Sequence, residues 1–409
     1  MEWLKLLILT FQSIFTILFN PFFWLIIFLI YTQYKKVSRM EISLLGEEKA
    51  TAKERVFSSF GVGILGGVLG TLLMTVLGIT VQLEDFRYIL PLAIILMMIN
   101  IRYLCFSYAG GIISLFSLIF GFPKVNVSSI IAIVAVLHLI ESILIRIDGY
   151  RHPTPIFIRH DIYGIVGGFT LQRFWPIPFA VILIILTKLQ GATNINLPDW
   201  WPLFIPKGLD VNNITLQLTV IVAALGYGDI AISSSPKEKV KKSSFRLALY
   251  SILLLILAVI SCHIYIFKYI ASLFAPIAHE GLIIYSQREE KKRRPIYKNP
   301  PKGITVLDVK RGSVAEKMGI KSGDIIWKVN NYVIDEKEDL LYILRQFPSF
   351  IWIEVIDEKG RSNILEYADY LNGIGSLGAI IVPRFSDAVV SPQNNMSIIK
   401  NLFKKFIKK

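Results

Sequence analysis

The chain has 409 residues, 54% of them hydrophobic and 18% charged, with a formal net charge of +14. Ordinary soluble domains are roughly a quarter charged; here the apolar residues come in blocks, which excludes a single soluble domain and predicts a multi-span membrane protein. Cys105 and Cys262 lie inside apolar blocks, which excludes a disulfide-rich scaffold, and the positive charge flanks apolar segments, which favours anionic lipid over nucleic acid.

A spanning helix needs about 20 apolar residues. The first apolar stretch, Leu6 to Tyr31, is too long for a signal-peptide core and has no small-residue cleavage site. Spans are expected at Pro21–Tyr34 with part of the preceding stretch, Phe60–Val81, Leu104–Phe122, Ile130–Ile147, Ile214–Ile232 and Leu247–Phe267. Shorter segments with an internal proline, Tyr88–Asn100, Pro176–Thr187 and Tyr269–Tyr285, read as tilted spans, half-spans or re-entrant pieces. Basic residues cluster after the first span (Lys35 to Arg55), between Arg146 and Arg173, from Lys237 to Arg246, and from Arg288 to Arg294. Placing these clusters on one side gives a consistent serpentine with that side in the cytoplasm.

Four motifs in the apolar region invite a chemical reading. The glycines of the Gly61–Gly70 run allow close helix approach. His138 and Glu141 share one face of a span, as a mutual hydrogen bond or as a proton path. His279-Glu280 resembles the start of the His-Glu-x-x-His zinc motif of site-2 metalloproteases. Position 283 is isoleucine, and the Asp148-Gly149 pair comes earlier in the chain, so a polar pair at the membrane interface is expected and no metal or other cofactor. Gly226-Tyr-Gly-Asp229 matches a potassium-filter string but follows Ala224-Leu225 where a threonine is needed, so it reads as a glycine kink at a helix end.

After a basic and proline-rich stretch, 288–301, the pattern changes to that of a small α+β domain. Ile304–Val309 reads as a strand, Ser313–Met318 as a helix closed by Gly319, and Ile325–Val329 as a strand ending in the Asn330-Asn331 turn. Glu336–Gln346 reads as an amphipathic helix, and Phe350–Ile356 and Arg361–Tyr367 as a hairpin about Asp357–Gly360. The run from Gly312 to Asn331, Gly-Ser-x-Ala-x-x-x-Gly-Ile-x-x-Gly-Asp-Ile-Ile-x-x-Val-Asn, closely resembles a bacterial PDZ domain. It departs from the pattern at Val314, where proline is usual, and at Asn331, where glycine is usual. The resemblance implies a peptide groove in which a ligand strand joins a sheet edge beside a helix. Groove candidates are Ile304 and Val306 on the strand and Leu340 and Leu344 on the helix. No carboxylate loop is evident near Ile304; Gly375 and Gly378 are its counterpart in a permuted arrangement.

In Met396–Lys409 apolar residues at helical spacing alternate with Lys400, Lys404, Lys405, Lys408 and Lys409, the pattern of an interfacial helix on anionic lipid. The expected organisation is an α-helical polytopic membrane domain (1–287), a linker (288–301), a PDZ-like α+β cytoplasmic domain (302–385) and an amphipathic tail (386–409). With the Asn20-Pro21 break and the final apolar segment ending His279-Glu280, this order resembles the MinJ-like family of division-site membrane proteins. The resemblance implies a non-catalytic adaptor between DivIVA-like and MinD-like partners, enriched at septum and poles. A degenerate site-2-protease-like peptide binder and a transporter are the alternatives.

Overall fold

A computed structural model describes residues 2–46, 48–103, 105–187, 198–206, 209 and 214–385. The tail lysines, Lys400 to Lys409, lie outside the described residues.

The Asn20-Pro21 break divides the first apolar stretch into α1 (Glu2–Thr16) and α2 (Pro21–Leu45). Asn20 caps α2 by accepting from Phe22 N, with proline at the first turn. Next come α3 (Ala52–Leu77), β1 (Thr80–Val81), α4 (Leu83–Ile99), α5 (Phe106–Phe120) and α6 (Val127–Asp148). The strands β2 (Thr154–His160), β3 (Gly164–Ile185) and β4 (Thr215–Ala231) follow, then α7 (Pro236–His263) and α8 (Ile266–Lys292). Reciprocal capping boxes start α3 (Thr51 with Glu54) and α7 (Ser235 with Glu238). Among the described residues five helical stretches are long and apolar enough to cross a membrane: Glu2–Phe19, α3, α6, α7 and α8.

The main departure from expectation is a sheet inside the apolar body. Pro176–Thr187 falls largely on β3, and Ile214–Ile232 is β4 with its flanks; neither is a helix. The two strands pair antiparallel from Phe169↔Ala231 to Ile185↔Thr215. An apolar run shows the same signature in a buried strand as in a buried helix, and both these runs are rich in β-branched residues, which favours the strand. The filter-like string Gly226–Asp229 is thus a stretch of β4 and not a kink at a helix end.

The edge of β3 facing away from β4 explains its prolines. Phe174 N donates to Tyr34 Oη (2.9 Å) and Ala180 N to Thr71 Oγ1 (2.9 Å). Pro176 and Pro178 between them have no N–H to satisfy. Helix α3 lies directly on this edge: a Cβ at Gly63 would stand 2.2 Å from Pro176 O, and one at Gly67 1.9 Å from Pro178 O. On the same helix Gly66 and Gly70 face Ile140 of α6. The glycine run is therefore a packing surface against both a strand and a helix.

Several residues of the basic clusters are buried in ion pairs. Arg55 meets Glu41 (2.6 Å), Arg173 meets Asp148 (Nε to Oδ2 2.7 Å), and Lys239 lies between Asp229 (3.4 Å) and Glu290 (3.3 Å). Asp148 also accepts from Trp175 Nε1 (2.7 Å), so the Asp148-Gly149 pair serves a structural network. These clusters gather the end of α2, the start of α3, the ends of α6 and α8 and the start of α7 at one end of the body.

The C-terminal domain comprises β5 (Ile304–Val309), α9 (Val314–Met318), β6 (Ile325–Val329), β7 (Tyr332–Val333), α10 (Lys337–Leu344), β8 (Phe350–Ile356), β9 (Ser362–Ala368) and β10 (Ala379–Ile381). The sheet order is β10-β5-β6-β8-β9, with β7 pairing β6. Ser313 and Gly319 (φ 87°) cap α9, and Asn330 and Asn331 take positive φ in the β6–β7 turn. The domain is docked on the charged end of the body. Residues 288–292 continue α8; beyond them Tyr297 O accepts from Gly167 N (2.7 Å) and Ile296 N donates to Ile232 O (3.0 Å). Phe157, Phe169 and Ala231 of the body sheet pack with Tyr297, Leu307 and Val382, and Lys49 pairs with Asp308.

Candidate functional site

The C-terminal sheet places the sequence-derived groove residues unequally. Ile304, Val306, Leu340 and Leu344 are all under 5% exposed and belong to one core cluster. Strand β5 has partners on both sides, β10 and β6, so its backbone offers no edge. Among the described residues the strand with a free edge near the helix is β10. Its residues Ala379 and Ile381 pack in the same cluster as Leu340 and Leu344 of α10. The two elements run in opposite directions. Gly375 precedes β10 and lies against Phe347, just past the end of α10, where a Cβ would come 2.6 Å from the ring. Beyond β10, Arg384 donates to Asp335 O (2.7 Å) just before α10.

Gly375 and Gly378 thus belong to the loop that leads into the edge strand. Gly378 has φ 73°, its carbonyl accepts from Lys310 N (2.9 Å), and Leu377 O accepts from Ala315 N (2.8 Å). This anchors the loop on the start of α9, and among the described residues one edge of β10 has no strand partner. Gly378 O bonds towards β5, so by strand alternation the backbone groups of Ala379 turn to the free edge. Such an edge can take a further strand by main-chain hydrogen bonds. Tyr342 and Phe347, both more than half exposed, provide aromatic surface on and beyond α10. Sequence reasoning missed β10 because a three-residue strand carries almost no periodicity.

The polar residues of the apolar body converge elsewhere. His138 bonds through Nδ1 to Val134 O (2.7 Å), and its Nε2 lies 3.0 Å from Cys105 Sγ. The expected partner, Glu141, takes neither of those positions. His279 Nε2 is 4.0 Å from the same sulfur. Its neighbour Glu280 accepts from Arg102 (2.5 Å) and from Tyr108 Oη (2.6 Å). The carboxylate is therefore held by a cation and a phenol. The meeting of Cys105 with the two histidines had no signal in the sequence, where the three lie far apart.

Comparison with known proteins agrees with this architecture. Residues 305–356 match the PDZ domain family, a protein-interaction module. The chain is 25% identical over 231 residues to the cell division topological determinant MinJ of Bacillus subtilis (strain 168), covering 55% of this chain and 55% of that protein. The match thus spans about half the length of that relative. The chain thus joins similarity to a division determinant with a PDZ domain and an apolar many-helix body.

Proposed function

We propose that this chain is a non-catalytic membrane adaptor of bacterial division-site selection. Its apolar body anchors it in the plasma membrane, and its PDZ domain faces the cytoplasm and binds a segment of a protein partner along β10. The observation that carries this reading is the similarity to a division topological determinant together with the PDZ match. The gathering of basic helix ends at the PDZ-bearing end supports the cytoplasmic placement, by the positive-inside rule. On this reading the partners are a DivIVA-like coiled-coil protein and a MinD-like ATPase, one meeting the PDZ domain and the other the body. The lysines Lys400, Lys404, Lys405, Lys408 and Lys409 contact anionic lipid, and nucleic acid is not a partner. Anchoring raises the effective concentration of the groove, so weak intrinsic binding suffices.

The test is co-purification from dividing cells with the full chain and with Ala379→Pro. The substitution removes an outward N–H of β10 at a partly buried position on the margin of the core. The wild type should capture a coiled-coil protein and a Min-type ATPase, and the variant should lose one of them. Capture of neither by the wild type would refute the reading.

A further inference from the structure

We propose that Cys105, His138 and His279 form a zinc site that ties α5, α6 and α8 together inside the apolar body. Their ligand atoms all lie within 4.8 Å of one another, the one such group of potential metal ligands among the described residues. Cys105 caps the start of α5, His138 sits within α6 and His279 within α8, so each element supplies one ligand.

Hydrogen bonding fixes the lone pairs. Val134 O is only an acceptor, so His138 Nδ1 carries its proton and Nε2 is bare. Tyr108 Oη gives its proton to Glu280, leaving its lone pair for His279 Nδ1 at 3.4 Å; the bare nitrogen of His279 is again Nε2. Both bare nitrogens face Cys105 Sγ, at 3.0 and 4.0 Å. A thiol has one proton and serves one of the two nitrogens, and leaving the other unpaired inside an apolar body is costly. A cation satisfies all three atoms at once.

The geometry suits zinc. Zn–S near 2.3 Å and Zn–N near 2.0–2.1 Å at tetrahedral angles separate sulfur from nitrogen by about 3.5 Å, which the two observed distances bracket. Thiolate and imidazole are both zinc ligands, and a site that adds a fourth donor in tetrahedral geometry suits zinc, whereas a trigonal His₂Cys set suits copper. The outer partners are those that orient metal-bound histidines: a backbone carbonyl behind His138, and a Tyr108–Glu280–Arg102 chain behind His279. Three protein ligands leave the fourth position for water or another donor.

The test uses the full chain, purified in detergent without a histidine tag, loaded with zinc and freed of excess. Elemental analysis should find about one zinc per chain, and Cys105→Ser or His138→Gln should lower zinc affinity about tenfold or more. Tyr108→Phe, which keeps all three ligands, should weaken zinc about tenfold. A readout on the unmutated protein guards against misfolded variants: zinc should slow maleimide alkylation of Cys105, a chelator should restore it, and Cys262 should be unaffected by either. Substoichiometric zinc in the wild type, equal zinc in the Cys105→Ser, His279→Gln double variant, or alkylation of Cys105 indifferent to zinc would each overturn the site. A preference for copper at these residues would overturn the choice of metal.

Discussion

The apolar body and the PDZ domain distribute charge in opposite ways. The body buries Glu41, Arg55, Asp85, Asp148, Arg173, Lys239 and Glu290, yet exposes large side chains such as Phe19, Phe57 and Phe245 along its flanks. In the PDZ domain Asp324, at 7% exposure, is the one buried charged residue among the described residues, and the apolar residues of its strands and helices form a closed core. An apolar exterior suits a hydrocarbon solvent, where intramembrane charges turn inward and pair. The contrast also shows what holds each part. Both parts bury an apolar side-chain core, and the body adds close backbone contact at glycine and ion pairs at one end. The two meet at the contact around Gly167 and at the Lys49–Asp308 pair.

Changes in the charged end of the body should have the largest effect. Arg173→Met leaves Asp148 buried with Trp175 and the longer contact to the half-exposed Arg151 (3.5 Å), and losing one partner of a buried pair costs about 3–5 kcal/mol. Thermal unfolding in detergent should show this loss, and Arg173→Met combined with Asp148→Leu should recover much of it. Equal stability of Arg173→Met and the wild type would remove buried pairing from the account.

Gly67→Ala comes next. Its Cβ has no room against Pro178 O, so α3 must move off β3, and overpacking of this kind typically costs about 1–3 kcal/mol. Gly61→Ala, with open space at the Cβ, is the control and should change little.

Gly167→Val probes the junction. A Cβ there meets Leu307, Val382 and Tyr297 within about 3 Å, the distances being 2.8, 2.9 and 3.0 Å. The variant should free the PDZ domain from the body, seen as new protease cleavage between residues 292 and 303 with both parts still folded. Protection equal to wild type would show that the contact does not hold the domain.

The smallest effect concerns pH. Burial raises the pKa of Asp324 above its ordinary value. The folded state therefore holds this proton more tightly than the unfolded state. Stability from this group is full below the unfolded pKa and falls as pH rises through the folded one. Asp324→Asn keeps an acceptor for Lys321 N (2.8 Å in the wild type) and removes that slope. Melting of the full chain across acid to neutral pH should be flatter in the variant.

The two regions were also unequally legible. In the PDZ domain each element was readable because turn residues with fixed offsets punctuate it: Gly319 after α9, the asparagine pair after β6, and Asp357–Gly360 in the hairpin. Only the two-residue β7 and the three-residue β10 escaped, both being too short to show a period. In the body, apolar blocks marked the spanning parts of α3 and α7, but β3 and β4 passed for spans because hydrophobicity without period does not distinguish strand from helix. The two prolines, taken as signs of an irregular helix, mark a strand edge that α3 covers. The Cys105–His138–His279 cluster joins residues from three separate elements, and only the fold brings them together.

The central claim is that this chain positions a PDZ groove at division sites. Fluorescence imaging of the full chain in its dividing native host, beside the Ala379→Pro variant, tests it most directly. The account predicts enrichment of the wild type at septa and poles, with the variant retained in the membrane but failing to recruit its PDZ partner there. A wild-type signal spread evenly around the membrane would contradict it.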